Sequence, residues 1–157
     1  MKLYHYIYVS EATQSFTHEE LDHLGNQSAA ANKEVALSGL LLHANGHFMQ
    51  LLEGDKYYVN YFIDIISKDT RHKYFTKVLE GPTTKRLFPQ WSMGVVNLDA
   101  KGRRNIINDA KVLAEFIAMT RTGCVSKNSI SALRYFRARL NDPEHRGEGV
   151  TDPVKTA

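Results

Sequence analysis

The chain has a single cysteine, Cys124, among 157 residues. One thiol cannot build an internal disulfide framework, and its isolation fits a reducing compartment. No apolar run approaches the ~18 residues that a membrane-crossing helix needs, and Met1-Lys2-Leu3-Tyr4-His5-Tyr6 passes directly into a strand pattern without an apolar leader core. A soluble, cytoplasmic protein with no membrane partner is therefore expected. There is no glycine-rich phosphate loop and no nucleophile elbow. His43 and His47 flank a turn with no cysteine or carboxylate cluster at ligand spacing, so both read as surface histidines rather than metal ligands. The excess of one charge sign is small as well: the net value is +3, which permits an acidic partner without requiring nucleic acid. Lys127, Arg134, Arg137 and Arg139 read as a solvated helix face, and Cys124 as a packing residue.

What the chain does have is enough apolar content for one core, 43% of residues, with room for an appended element. Within that content the most informative residue is polar. Gln50 sits in the strand-like run His47 to Glu53, where alternation places it on the face of Phe48 and Leu52. A buried amide without partners costs about 1–3 kcal/mol. Either neighbouring side chains or a polar ligand must satisfy it.

The first strand is expected over Leu3–Ser10, with Tyr4, Tyr6, Tyr8 and Ser10 on one face. Thr17 and Glu20 form a capping-box pattern, with Phe16 and Leu21 as its hydrophobic staple, so a helix is expected to about Asn32. Its inward stripe would be Leu21, Leu24, Ser28, Ala31 and Asn32. Strands at Ala36–His43 and His47–Glu53 are joined by Ala44-Asn45-Gly46, a hairpin signal. Gly54-Asp55 opens a second helix carrying Val59, Phe62, Ile63 and Ile66, followed by strands at Lys73–Glu80 and Ser92–Leu98. This order predicts an α+β, ferredoxin-like βαββαβ(β) sheet, antiparallel, with two helices on one face. Two amphipathic C-terminal helices would cover the other. The expected division is a domain over residues 1–98, a helical extension over 99–140 and a polar, disordered tail over 141–157.

Each polar residue so far has an ordinary explanation. Tyr8 could be an amphipathic core tyrosine, Asn32 a helix-terminal residue in the left-handed conformation, and Gln50 a partner of nearby backbone. Their joint placement says more. In a ferredoxin-like sheet the strands of Tyr8 and Gln50 are central neighbours, while Ser28 and Asn32 lie one helical turn apart above them. With Leu24, Leu41, Phe48 and Phe62 as walls, the arrangement suits a flat heteroaromatic ligand with imide edges.

Five motifs carry a family likeness: Ile7-Tyr8-Val9-Ser10; Asn32 followed by Leu37-Ser38-Gly39-Leu40-Leu41; Phe48-Met49-Gln50-Leu51-Leu52-Glu53-Gly54; Asp69-Thr70-Arg71-His72; and Arg86-Leu87-Phe88-Pro89-Gln90-Trp91-Ser92-Met93. From Leu3 to Asn97 the chain resembles the BLUF family, blue-light sensors that use flavin. The resemblance implies that Tyr8 is the photochemical electron and proton donor and Gln50 the switching amide. It makes Asn32 the partner of the isoalloxazine edge, puts Ser28 along the same wall, and sets Arg71 and His72 near the ring or ribityl side. Trp91 and Met93 would relay the signal along the fifth strand. FAD is the implied cofactor, with FMN or riboflavin as alternatives, since Ala31 and Ile65 stand where relatives often carry polar or basic residues.

The resulting expectation is a light sensor without catalysis of its own, signalling to a downstream protein or through a homo-oligomer. Two rivals remain at this level: a flavin-free interaction or nucleic-acid-binding module, and an acylphosphatase-like hydrolase. The hydrolase would need an anion-binding loop early in the fold, and Glu11–Ser15 does not supply one.

Overall fold

Thr17 starts the first helix, α1 (His18–Glu34), with both halves of the capping box in place. Glu20 N–H donates to Thr17 Oγ1 at 3.1 Å and Thr17 N–H to Glu20 Oε2 at 2.8 Å. Such a cap is worth about 1 kcal/mol. The computed structural model describes residues 2–97 and the pair Val154–Lys155. Before α1 comes β1 (Leu3–Ala12); after it come β2 (Ser38–Ala44), β3 (His47–Asp55), α2 (Lys56–Ser67), β4 (His72–Pro82), β5 (Trp91–Asn97) and β6 (Val154–Lys155). The expected helices over 99–140 and the residues Cys124, Lys127, Arg134, Arg137 and Arg139 lie outside the described residues. The expected disordered tail does too, except at β6, where the two described residues form a strand.

The sheet order is β4-β1-β3-β2-β5-β6. The first four positions are the antiparallel ferredoxin-like core, whereas β5 runs parallel to β2, from Leu40↔Gly94 to His43↔Asn97. The sheet is thus mixed rather than wholly antiparallel. Asn45 and Gly46 both have positive φ, 47° and 74°, which a two-residue hairpin requires between β2 and β3.

Helix α1 ends later than expected, and Asn32 does not end it. Ala36 is the left-handed residue, at φ 55°, and Leu37 N–H reaches back to Asn32 O at 2.9 Å while Ala36 N–H reaches Lys33 O at 3.3 Å. This is a Schellman arrangement with alanine where glycine is usual. The expected strand start at Ala36 is displaced to Ser38 for that reason. An L-residue in this region costs about 1–2 kcal/mol, so Ala36→Gly is expected to raise the unfolding free energy measured by denaturant titration, by roughly 1 kcal/mol after the added unfolded-state freedom of glycine is counted.

The buried stripe of α1 is also rotated from the expected one. Leu21, Gly25, Ala29 and Asn32 face the sheet, and Leu24, Ser28 and Ala31 lie half-buried on the flank. Small residues decide this. A Cβ on Gly25 would fall 2.2 Å from Val95 Cγ2, so only glycine lets α1 lie this close to β5. On the helix-bearing face, Tyr6, Tyr8, Leu41, Phe48, Leu52 and Met93 pack with Leu21 and Ala29 of α1 and Val59 and Ile63 of α2. Ile7, Leu40, Leu42, Met49 and Leu51, which alternate to the other face, are buried just as fully.

Candidate functional site

Tyr8 of β1 and Gln50 of β3 lie directly opposite one another across the strand pair. Directly opposed residues share a face, so both side chains point beneath α1 and α2. Each is buried. Tyr8 Oη donates to Gln50 Oε1, and Gln50 Nε2 donates to Met93 Sδ at 3.5 Å. The amide is therefore oriented by both ends: its acceptor faces the phenol of β1, its donor the thioether of β5.

The Tyr8 ring is fixed as well, stacked on Phe75 of β4 at 4.4 Å and met by the edge of His72 at 6.0 Å. Phe75 reaches it from beside a bulge: Tyr74 has φ 54°, and the β1–β4 register shifts between Val9 and Glu11. Burial pushes the Tyr8 phenol well above the usual tyrosine range, and the Asp69 carboxylate pushes it the same way. The phenol is thus kept as a donor in alkaline solution. The amplitude of any light-induced spectral change is expected to be the same near pH 10, where an ordinary phenol is half ionised, as at neutral pH. Difference spectra across that range test it.

Asn32 enters from the last turn of α1. Its Nδ2 donates to Ser92 O of β5 at 2.8 Å, which leaves Oδ1 as the end that can accept from a ligand. Ser28 lies one turn earlier on the same wall. The pair, with Tyr8 and Gln50, borders a cavity of about 270 Å³ whose walls include Leu24, Leu41, Phe48 and Phe62. Ligand sites are typically of this size or larger, roughly 300–1,000 Å³.

Arg71 and His72 border the same cavity. The Arg71 guanidinium grips Asp69, with Nη2–Oδ2 at 2.6 Å and Nε–Oδ1 at 3.0 Å, which holds the Asp69 carboxyl below its usual range. His72 uses both ring nitrogens within the protein. Nε2 lies 2.6 Å from Ile66 O, which can only accept, so Nε2 carries a proton; Nδ1 lies 2.7 Å from Ser10 Oγ. In the neutral ring Nδ1 then accepts from the Ser10 hydroxyl. His72 meets the cavity with its ring rather than with an uncommitted nitrogen.

All six expected binding residues, Tyr8, Ser28, Asn32, Gln50, Arg71 and His72, are thus brought to one cavity. The other expected pair is divided. Met93 is buried against Gln50, whereas the Trp91 ring stacks on Phe88 at 5.5 Å and lies over Gly94, on the opposite face. A Cβ on Gly94 would fall 2.7 Å from that ring. Sequence reasoning missed Phe16, Gln27 and Asp69 as lining residues, and it missed the buried carboxylate of Glu53. An acidic residue near the end of an apolar strand was the available signal. Among the described residues no group of three or more His, Cys, Asp or Glu could hold a metal ion, and no helix is long and apolar enough to cross a membrane.

The BLUF family, described as sensors of blue-light using FAD, matches residues 3–94. The photoactivated adenylate cyclase subunit beta of Euglena gracilis is 33% identical over 87 residues, 55% of this chain and 10% of that protein. The corresponding subunit alpha is 28% identical over 94 residues, 60% of this chain and 9% of that protein. The chain therefore spans about a tenth of the length of these curated relatives. Among solved structures, BlrB, a BLUF protein in its dark state, superposes with a TM-score of 0.60 at 23% identity, covering 88% of this chain and 98% of that one. The BLUF structure of BlrP1 gives 0.60 at 18% identity, covering 98% and 99%. These likenesses carry the fold, and neither the hydrolase nor the flavin-free module is favoured by them. With the family match spanning more than half its length, the chain belongs to the BLUF family of flavin-binding blue-light sensors.

Proposed function

We propose that Tyr8 and Gln50 are the photoactive pair of this sensor, that Ser28, Asn32, Arg71 and His72 hold the cofactor, that FAD is its resident form, and that Met93 and Trp91 pass the signal outward. The observation that carries the reading is the continuous chain of hydrogen bonds from Tyr8 Oη through the Gln50 amide, both at the border of the cavity, to Met93 Sδ behind them. The residues fit a flavin. Apolar walls suit the faces of a flat ring, while Asn32 Oδ1 can accept from an imide N–H and Gln50 can present either end of its amide to the ring edge.

When bound, the flavin supplies blue-light absorption and an excited state that takes up an electron. Tyr8 is the donor, because its ring is held at the cavity and its hydroxyl is already bonded to an acceptor. Loss of an electron makes that phenol strongly acidic, and the Oη proton has one short path, to Gln50 Oε1. If the amide rotates while the proton is displaced, return of the electron and the proton to Tyr8 leaves Gln50 with its donor and acceptor ends exchanged. Met93 then loses the Nε2 donor, and β5 receives the change.

One rearranged buried hydrogen bond is worth about 1–3 kcal/mol, whereas moving a two-state equilibrium from 1:99 to 99:1 takes about 5.5 kcal/mol. This arithmetic supports amplification by a second copy of the chain or by an effector partner. The BLUF domain itself is a sensor rather than a catalyst; cyclase activity belongs to the names of the Euglena relatives. The purified protein is expected to be yellow, to release FAD on denaturation, and to show a small reversible red shift under blue light. Absorption spectra in dark and light, with mass analysis of the released flavin, test the proposal. Colourless protein that FAD and FMN cannot reconstitute would sink it.

A further inference from the structure

Glu53, two residues before the end of β3, is a carboxylate only 1% exposed. Its Oε1 accepts from Phe88 N–H at 2.7 Å and from Ser38 Oγ at 3.1 Å, and its Oε2 accepts from Leu87 N–H at 2.8 Å. Arg86 completes the cluster: Nη1 donates to Ser38 Oγ at 2.7 Å and to Glu53 O at 3.3 Å, and Nη2 donates to Ala36 O at 2.6 Å. Burial raises the Glu53 carboxyl, and the Leu87, Phe88 and Ser38 donors together with Arg86 act against that rise. Residues Arg86 to Phe88 are thereby fastened to the ends of β2 and β3 just before β5 starts.

That fastening bears on the relay. Phe88 is buried, its ring stacks on Trp91, and its carbonyl accepts from Trp91 N–H at 3.1 Å. From there the chain passes Ser92, whose carbonyl is held by Asn32, to Met93 beneath the Gln50 amide. A single strand, β3, thus grips both ends of the stretch from Leu87 to Met93, through Glu53 at one end and Gln50 at the other. The β5 register against Val154–Lys155 shifts between Trp91 and Met93, which allows the two side chains to take opposite faces. A slip of one residue in a strand exchanges every side chain between faces.

We infer that Glu53 is a positioning residue of the light sensor: it fixes where β5 begins, and so seats Met93 under Gln50 and keeps Trp91 on the other face of the sheet. The inference rests on the reading of Gln50 and Met93 given above. Without the carboxylate, the Leu87 and Phe88 amides lose their acceptor, and the stretch leading into β5 gains other settings.

Trp91 is the sole tryptophan, so fluorine NMR of the flavin-loaded full chain labelled with fluorotryptophan reports on it alone. In the dark the wild-type chain is expected to give one resonance. Glu53→Gln, which keeps shape but turns an amide donor toward a backbone donor, is expected to add a second resonance with flavin content unchanged. Ser38→Ala, a milder lesion that removes one donor from the carboxylate, is expected to do so to a smaller extent. Val59→Ala, a cavity in the α2 core, serves as the control and is expected to lower the melting temperature with a single resonance retained. The inference is overturned by a single wild-type resonance in Glu53→Gln, by a second resonance in Val59→Ala or in the wild type, or by loss of flavin from both clamp variants. A wild-type chain lacking the blue-light red shift would instead count against the photochemical reading, which the dark spectra do not depend on.

Discussion

Gln50→Ala is expected to purify with flavin and to lose the light-induced red shift. The apolar walls, Leu24, Leu41, Phe48 and Phe62, are untouched by the change, so the ring keeps its site. What disappears is the acceptor of the Tyr8 hydroxyl and the donor to Met93, in one step. The Tyr8 hydroxyl is then buried without its partner, which should also lower stability by about 1–3 kcal/mol. Tyr8→Phe is expected to abolish the same spectral change from the other side, by removing the transferable proton while keeping the ring against Phe75. Dark and illuminated absorption spectra of flavin-loaded protein are the measurement. A normal shift in Gln50→Ala would contradict the assigned role.

Asn32→Ala should leave the photochemical pair in place and weaken the hold on the cofactor. Its amide does two things: Nδ2 ties α1 to the Ser92 carbonyl of β5, and Oδ1 is the acceptor available to an imide edge. Loss of a directed contact in a buried site costs about 1–3 kcal/mol, which corresponds to roughly 5- to 150-fold in affinity. Titration of apoprotein with FAD, followed by quenching of flavin fluorescence, reads the change directly. Unchanged affinity would mean that Asn32 serves only to anchor β5.

The features that the sequence reveals are those whose partners are near in the chain. Thr17 and Glu20 are three residues apart and cap α1 as their pattern predicts. Asn45-Gly46 turns β2 into β3, and the alternation of Phe48, Gln50 and Leu52 puts an amide on a core face. Where a partner is distant, legibility fails. Composition gives no reason for Ala36 to end α1 in a left-handed conformation; that follows from the return of Leu37 to Asn32 and from Arg86, far along the chain, taking the Ala36 carbonyl. Gly25 looks like a weak helix residue until β5 is seen lying against it.

Within residues 2–97 the sequence by itself determined which segments are strands and helices, and that Tyr8, Asn32 and Gln50 are polar groups on otherwise apolar faces, because periodicity and capping are properties of short stretches. Tertiary structure decided what those groups do to one another. The alignment of Tyr8 with Gln50, 42 positions later, is a matter of strand register; the separation of Met93 from Trp91 depends on a shift in β5; and the acceptor role of Glu53 exists only once Leu87 and Phe88 fold onto it. Hydrogen bonds act over a few ångströms of space, and only the packed sheet converts distance along the chain into that proximity.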